Sequence, residues 1–152
     1  MPIVKTKIGN MFEYKFTTTF EETNVVGNIY FANYLVWQGK CREMFIKEFC
    51  PDVLDEINNG LALITLDVSS KYFNQLYAFD QVTMHMNVEA FEKNRMVMNF
   101  LYYKDDDGKS ELVCQGSQGA ASMRLVHGKM CSEPFPNSMV EAIDIYQLQS
   151  AV

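Results

Sequence analysis

The alternation of apolar and polar residues predicts a chain built mostly of strands around one long helix. Met11–Phe20 reads as a strand, because large apolar side chains recur there at every second position. Over Ala32–Phe49 the apolar positions recur instead at helical spacing, which predicts a long helix with one buried face. Asn33 is the candidate N-cap of this helix, and Pro51 marks its end.

After the long helix the pattern indicates a short helical piece at Asp52–Asn58 and then a series of strands. The predicted strands are Leu61–Tyr72, Asp80–Phe91, Arg95–Tyr103 and Leu112–Val126. The run Asp105–Gly108 predicts a hairpin turn whose glycine accepts a positive φ. A short amphipathic helix is predicted at Met139–Leu148.

This order of elements favours an α+β fold in which a curved antiparallel sheet wraps around one long central helix. A sheet of this kind covers only one face of the helix, and the other face and the sheet edges remain available to a second copy. We therefore expect a homo-oligomer, at least a dimer.

Composition narrows the class of protein. The chain has 152 residues, of which 48% are hydrophobic, and this suits one domain spanning residues 1–152. A net charge of −6 argues against non-specific nucleic-acid binding, and no apolar run reaches the length of a membrane span. The N-terminus lacks a signal-peptide pattern, so we expect a cytoplasmic protein with reduced cysteines. No metal-ligand cluster or phosphate-binding glycine loop occurs in the sequence, so neither a metal nor a cofactor is expected.

The segment Phe20–Tyr34, which joins the first predicted strand to the long helix, is the candidate site. It combines amides, a glycine and aromatic side chains, and loops at such junctions commonly carry binding groups. It also leads into a helix, whose first turn presents free backbone N–H groups at the positive end of the dipole. Donors of this kind can hold a developing oxyanion.

The same segment resembles a thioesterase motif. Asn24, Gly27 and Tyr34 match an Asp-x-x-Gly-x-x-x-x-x-x-Tyr pattern of hotdog-fold enzymes of the 4-hydroxybenzoyl-CoA thioesterase type. The chain is more similar still to the thioesterases of enediyne polyketide biosynthesis. The matching positions are Thr23-Asn24, Gly27-Asn28, Tyr30, Asn33-Tyr34, Trp37-Gln38-Gly39 and Cys41-Arg42-Glu43. The resemblance is looser in the strand half, at Lys71-Tyr72, Phe79-Asp80, Arg95 and Gly116-Ser117-Gln118.

The resemblance implies a hotdog fold and hydrolysis of a polyene β-ketoacyl thioester held on the acyl carrier domain of an iterative polyketide synthase. The β-keto acid released in this reaction can lose CO2 and give a methyl ketone. The resemblance also favours tetramers over dimers.

The sequence departs from the first motif at Asn24, where many relatives carry a carboxylate that serves as nucleophile or general base. Asparagine can only orient groups and donate or accept hydrogen bonds. The remaining candidates for catalysis are electrostatic. The guanidinium fork of Arg42 can bind a thioester carbonyl, a β-ketone or a developing carboxylate. Backbone N–H groups at Tyr30 and Phe31 and the phenol of Tyr34 can complete an oxyanion site.

A channel for the acyl chain is expected from apolar residues of the segment and from some strand methionines. The predicted lining residues are Val25, Val26, Gly27, Ile29, Tyr30 and Trp37, together with Phe31. The chain has ten methionines, and such unbranched side chains suit a deformable pocket.

Several alternatives stay open at this stage. Asn24 can be an Asx-turn residue, and Arg42 can be paired with Glu43 or Glu22. Glu21 or Glu22 can be an unrecognised base. The protein can also be a general acyl-CoA thioesterase of the same fold, or a non-catalytic acyl-binding subunit, which the missing carboxylate motivates. His85 and His127 are isolated in sequence and are not expected to be catalytic.

Overall fold

The computed structural model describes residues 3–6 and 9–146, which form an antiparallel sheet and three helices. Strands β1 to β7 are Ile3–Thr6, Gly9–Thr17, Leu61–Tyr72, Gln81–Glu92, Arg95–Asp106, Lys109–Val126 and Lys129–Ser132. Helices α1 to α3 are Ala32–Phe49, Asp52–Asn58 and Asn137–Tyr146, and a 3₁₀ turn spans Phe20–Glu22. Positions 147 and 148 of the predicted last helix lie outside the described residues. None of the described helices is long and apolar enough to cross a membrane.

The strands form one sheet in the order β1-β2-β4-β5-β6-β3, and β7 pairs with the end of β6. Every neighbouring pair is antiparallel. Strand β3 pairs with β6 alone within the described part of the chain, so its twelve residues form an edge of the sheet. The sheet curls around α1, which confirms the predicted curved sheet around one long helix.

Helix α1 is held by an aromatic and aliphatic face that points into the curl. Its buried residues are Tyr34, Trp37, Gln38, Cys41, Phe45 and Ile46. The ring of Trp37 lies 4.8 Å from that of Phe16 on β2, and Phe45 meets Phe12 edge-on at 5.7 Å. The strands contribute buried methionines to the same core cluster, namely Met84, Met86, Met96 and Met98. Burial of this face stabilises the helix far more than its intrinsic propensity does.

The structure corrects four details of the sequence interpretation. The first predicted strand ends at Thr17, because Phe20–Glu22 turns into a 3₁₀ helix closed by a capping box between Thr19 and Glu22. The N-cap of α1 is Phe31, whereas Asn33 lies inside the helix and donates to the Glu22 carbonyl at 2.7 Å. Strand β6 begins three residues earlier than predicted. The short strands β1 and β7 were not predicted, because their sequences carry no alternation of apolar and polar residues.

Candidate active site

The turn before α1 is a hydrogen-bonded loop centred on Asn24. The N–H of Asn24 donates to the Asn28 carbonyl at 2.9 Å, and the N–H of Gly27 donates back to the Asn24 carbonyl at 3.0 Å. The side-chain Oδ1 of Asn24 accepts from the Val26 N–H at 3.0 Å, so the Asx turn considered above is present. Gly27 has φ of 93°, a conformation that favours glycine.

A second loop, residues 73–80, fixes this turn in place. The N–H of Ile29 donates to the Leu76 carbonyl at 2.8 Å, and Asn28 and Tyr77 form an antiparallel bridge. The hydroxyl of Thr18 donates to the Tyr77 carbonyl at 2.6 Å. Leu76 is fully buried and anchors the loop in the core. The two loops therefore form one rigid unit at the start of α1.

The N–H of Phe31 is a free donor at the start of α1. The neighbouring donors, the Tyr30 N–H and the Asn33 side-chain amide, both go to the Glu22 carbonyl, at 2.9 and 2.7 Å. The Phe31 N–H makes no hydrogen bond within residues 3–6 and 9–146, and it lies at the positive end of the α1 dipole. The Phe31 carbonyl accepts from the Tyr72 hydroxyl at 2.8 Å, which ties the helix start to the end of β3.

A pocket of about 200 Å³ opens at this helix start. Its lining residues are Asn24, Asn28, Ile29, Phe31, Tyr34, Tyr72, Asn74 and Gln75. Four of these side chains are carboxamides and three are aromatic, so the pocket offers hydrogen bonds and apolar surface without a charge. Sequence reasoning placed Asn24, Ile29, Phe31 and Tyr34 at the site, and the structure brings these four together.

The remaining lining residues were not among the predicted site residues. Asn28 and Tyr72 belong to the resemblance quoted above, so the motif itself contained a signal for them. Asn74 and Gln75 lie in a loop without periodicity, and nothing in the sequence connects that loop with the helix start. The contact is revealed by the structure, through the hydrogen bonds of Ile29 and Thr18 to the loop and the bridge between Asn28 and Tyr77.

Tyr34 lies at the base of the pocket as a neutral phenol. Its side chain is almost entirely buried, and this burial raises the pKa of Tyr34 well above its usual value, with a hydrogen bond to the backbone of Leu76 acting in the opposite direction. Its ring meets that of Tyr72 edge-on at 4.9 Å. Tyr34 can therefore donate a hydrogen bond, but it cannot serve as a base in the ordinary pH range.

Arg42 lies far from this pocket within one chain. It follows Phe31 by eleven residues of α1, which corresponds to about 16 Å along the helix axis. Its Nη1 donates to Gln118 Oε1 at 2.8 Å and to Thr65 Oγ1 at 3.4 Å, so its partners are neutral groups of β6 and β3 rather than Glu22 or Glu43. Desolvation by burial lowers the pKa of Arg42, while the charge of Glu43 raises it.

Trp37 and Glu22 lie on another side of the helix start. The Trp37 indole N–H donates to Glu22 Oε2 at 2.7 Å, and Glu22 Oε1 accepts from the Thr19 N–H at 2.9 Å. Both oxygens of the Glu22 carboxylate are thus engaged in holding the turn. Trp37 and Glu22 line a separate shallow pocket with Lys40, so the structure does not place Trp37 in the carboxamide-lined pocket.

The other predicted channel residues face outward in the isolated chain. Val25 is completely exposed, and Val26 and Tyr30 are exposed by 81% and 46%. Val25, Tyr30 and Asn24 line a wide depression of about 710 Å³ on the outer side of the turn. His85, which looked isolated in sequence, has a partner across the sheet, since its Nε2 lies 3.0 Å from Glu13 Oε2.

Comparison with known proteins gives the family of this chain. The profile of the thioesterase-like superfamily matches residues 18–143. The chain belongs to the thioesterase-like superfamily. It is a thioester hydrolase with the hotdog fold, as the motif around Asn24 indicated. A search of curated protein sequences finds no match.

Solved structures of thioesterases superpose closely on the chain. The dynemicin thioesterase shares 34% identity with a TM-score of 0.89, covering 92% of this chain and 99% of its own. The 1,4-dihydroxy-2-naphthoyl-CoA thioesterase from Synechocystis has 16% identity and a TM-score of 0.79, covering 88% and 96%. The 4-hydroxybenzoyl CoA thioesterase from Pseudomonas sp. strain CBS-3 has 14% identity and a TM-score of 0.74, covering 87% and 98%. The last two share the fold alone.

Proposed function

We propose that this thioesterase hydrolyses a polyene β-ketoacyl thioester carried on the acyl carrier domain of an iterative polyketide synthase. The β-keto acid then loses CO2 and gives a methyl ketone. The observation that carries this proposal is the 34% identity to the dynemicin thioesterase, whose structure is described with bound polyene. In the reaction, water attacks the thioester carbonyl carbon, the C–S bond breaks, and the carrier thiol leaves with a proton.

The carboxamide-lined pocket supports an oxyanion mechanism without a carboxylate base. The Phe31 N–H is a free donor at the start of α1. Asn24 lines the pocket, and because its Oδ1 accepts from the Val26 N–H, its Nδ2 is the atom available to donate to a ligand. Both groups and the Tyr34 phenol can stabilise negative charge on the carbonyl oxygen. The β-keto group makes the thioester carbon more electrophilic, which partly offsets the missing base.

The position of Arg42 points to a site shared between two copies. Strand β3 is an edge strand with exposed Leu66 and Val68, and an unpaired edge is a template for strand pairing. A two-fold axis between Val68 and Ser69 would pair Thr65 of one copy with Tyr72 of the other. Because Thr65 contacts Arg42 and Tyr72 contacts Phe31, this pairing would bring Arg42 of one copy towards the helix start of its partner. We therefore propose that the protein forms a dimer or a tetramer of such dimers.

The acyl chain would lie between α1 and the methionines of the sheet. Met84, Met86, Met96 and Met98 are buried in the core cluster that the inner residues of α1 also join. Unbranched methionine side chains can move aside at low cost, which allows a channel to open when a polyene enters. Val25, Val26 and Tyr30 would then guide the chain at the mouth of this channel.

Product analysis tests this function. The purified protein is mixed with its cognate synthase loaded with a polyene, and the released product is measured against the spontaneous rate. We expect release of the β-keto acid or its methyl ketone, and slower hydrolysis of the same acyl group on CoA. Faster hydrolysis of acyl-CoA would indicate a general acyl-CoA thioesterase. Polyene binding without release would instead indicate an acyl-binding subunit.

A further inference from the structure

Two buried polar atoms on one face of α1 lack a hydrogen-bond partner among the described residues, namely Gln38 Oε1 and Arg42 Nε. Gln38 is completely buried. Nearly all buried polar atoms in proteins are paired, so an unpaired atom requires an explanation. The two residues are four positions apart, which places them side by side on successive turns of the helix.

The orientation of the Gln38 amide is fixed by its surroundings. Its Nε2 donates to the Ser69 carbonyl at 3.0 Å and to Ser70 Oγ at 3.3 Å. The carbonyl of Ser69 can only accept, so a flipped amide would lose this bond. Gly116 leaves room for the amide, because a Cβ at this position would collide with Gln38 Nε2 and lie 2.7 Å from the Ser69 oxygen. Gln38 Oε1 is therefore a fixed acceptor.

A hydrogen bond also fixes the orientation of the Arg42 guanidinium. Its Nη1 is bonded to Oε1 of Gln118, a residue that is itself almost entirely buried. This bond orients the guanidinium plane and leaves the Nε–H as a donor. The interior face of α1 thus presents one acceptor and one donor on adjacent turns.

We infer that Gln38 Oε1 and Arg42 Nε bind the two oxygens of an acyl group that is oxygenated at C3. The C3 hydroxyl, or the enol O–H before it returns to the reactive keto form, donates to Gln38. The thioester carbonyl oxygen, held at the helix start of the partner copy as proposed above, accepts from Arg42. This inference rests on the proposed function and makes Gln38 a specificity-determining residue. The enol of a β-ketoacyl group carries one O–H donor and one carbonyl acceptor, which is the complement of the two unpaired atoms. An acyl chain without oxygen at C3 leaves Gln38 unpaired and is bound less well.

Three N-acetylcysteamine thioesters of one chain length test this specificity: 3-oxo, 3-hydroxy and unsubstituted. The wild type is expected to have higher kcat/KM for the two oxygenated thioesters. Gln38→Met preserves the side-chain volume and removes the acceptor. It also removes the Nε2 bonds to Ser69 and Ser70, so the informative quantity is the ratio between substrates. The kcat/KM for both oxygenated substrates should fall about tenfold more than the value for the unsubstituted thioester, which corresponds to one hydrogen bond.

Asn87→Leu is the matched control, since Asn87 is another buried carboxamide with an unpaired oxygen, but it lies on β4. This variant should preserve the preference for C3 oxygen. A wild type without this preference, or a Gln38→Met protein that slows all three substrates equally, overturns the inference. The second outcome is expected if the unpaired atoms only hold a buried water.

Binding of the corresponding acyl amides, in which nitrogen replaces the thioester sulfur, separates this inference from the proposed function. Calorimetry with the 3-hydroxyacyl and unsubstituted amides needs no turnover, and wild-type protein suffices if Gln38→Met does not fold. Tighter binding of the 3-hydroxyacyl amide supports the inference, even if no thioester is hydrolysed and the proposed function fails. Equal binding of the two amides overturns it, even if hydrolysis is observed.

Discussion

Replacing Arg42 by alanine has two separable consequences, one on turnover and one on stability. In the proposed mechanism the guanidinium stabilises charge on the reacting carbonyl group, and loss of one such donor typically lowers kcat by roughly 10²–10³-fold. Within the fold, Arg42→Ala leaves Gln118 Oε1 without its 2.8 Å partner. An acceptor left unpaired in the interior costs about 1–3 kcal/mol, which lowers Tm by roughly 2–4 °C per kcal/mol for a chain of this size.

Arg124→Ala is the matched control for this variant. Arg124 lies on strand β6, and its guanidinium bonds Glu133, Glu56 and the Asn59 carbonyl at the opposite end of β3 from Tyr72. We expect Arg124→Ala to lower Tm while kcat stays near the wild-type value. Steady-state hydrolysis of a polyene thioester and thermal unfolding are measured on both variants. Wild-type kcat in a folded Arg42→Ala protein would remove Arg42 from the mechanism.

Three further changes probe the site. Asn24→Ala should lower kcat by roughly 10²-fold through loss of an oxyanion donor, and an unchanged kcat would exclude that role. Tyr34→Phe should lower kcat. Because burial holds the pKa of Tyr34 above its usual value, the activity of the wild type should show no Tyr34 titration as pH rises to about 10. A loss of wild-type activity near that pH that is absent from Tyr34→Phe would contradict this assignment. Val68→Asp, on the free edge of β3, should dissociate dimers in light scattering and reduce turnover, whereas the dimer persisting in this variant would place the interface elsewhere.

Most of the regular elements could be predicted from the sequence because they show a clear period of apolar residues, whereas the short strands β1 and β7 do not. The bounds of α1, α2 and β3 agree with the prediction, since Gly60, with φ of 103°, separates α2 from β3 and Pro51 separates α1 from α2. The turn at Asn24 was also predictable, because its Asx turn and its glycine are local features.

The composition of the pocket could not be predicted in the same way. Asn74 and Gln75 reach the helix start only because the loop 73–80 bonds Ile29 and Thr18, and such long-range hydrogen bonds leave no periodic trace in the sequence. The separation of Arg42 from Phe31 was predictable in principle from the helical rise. The proposal that two copies share the site follows only when β3 is seen to be an unpaired edge beside both residues.

The two polar atoms of the Asn24 side chain, Oδ1 and Nδ2, have different roles. Its Oδ1 accepts from the Val26 N–H and closes the turn, a bond that an aspartate could make equally well. Its Nδ2 is a donor, whereas an aspartate would place a second acceptor there and repel a developing oxyanion. The exchange of a carboxylate for an amide is therefore compatible with the same turn, and in the proposed mechanism it replaces base catalysis by charge stabilisation. The neutral lining of that pocket, with Asn28, Asn74 and Gln75 beside Asn24, is consistent with the proposed chemistry, in which the hydrolytic water reacts with a carbonyl activated by the β-keto group of the substrate.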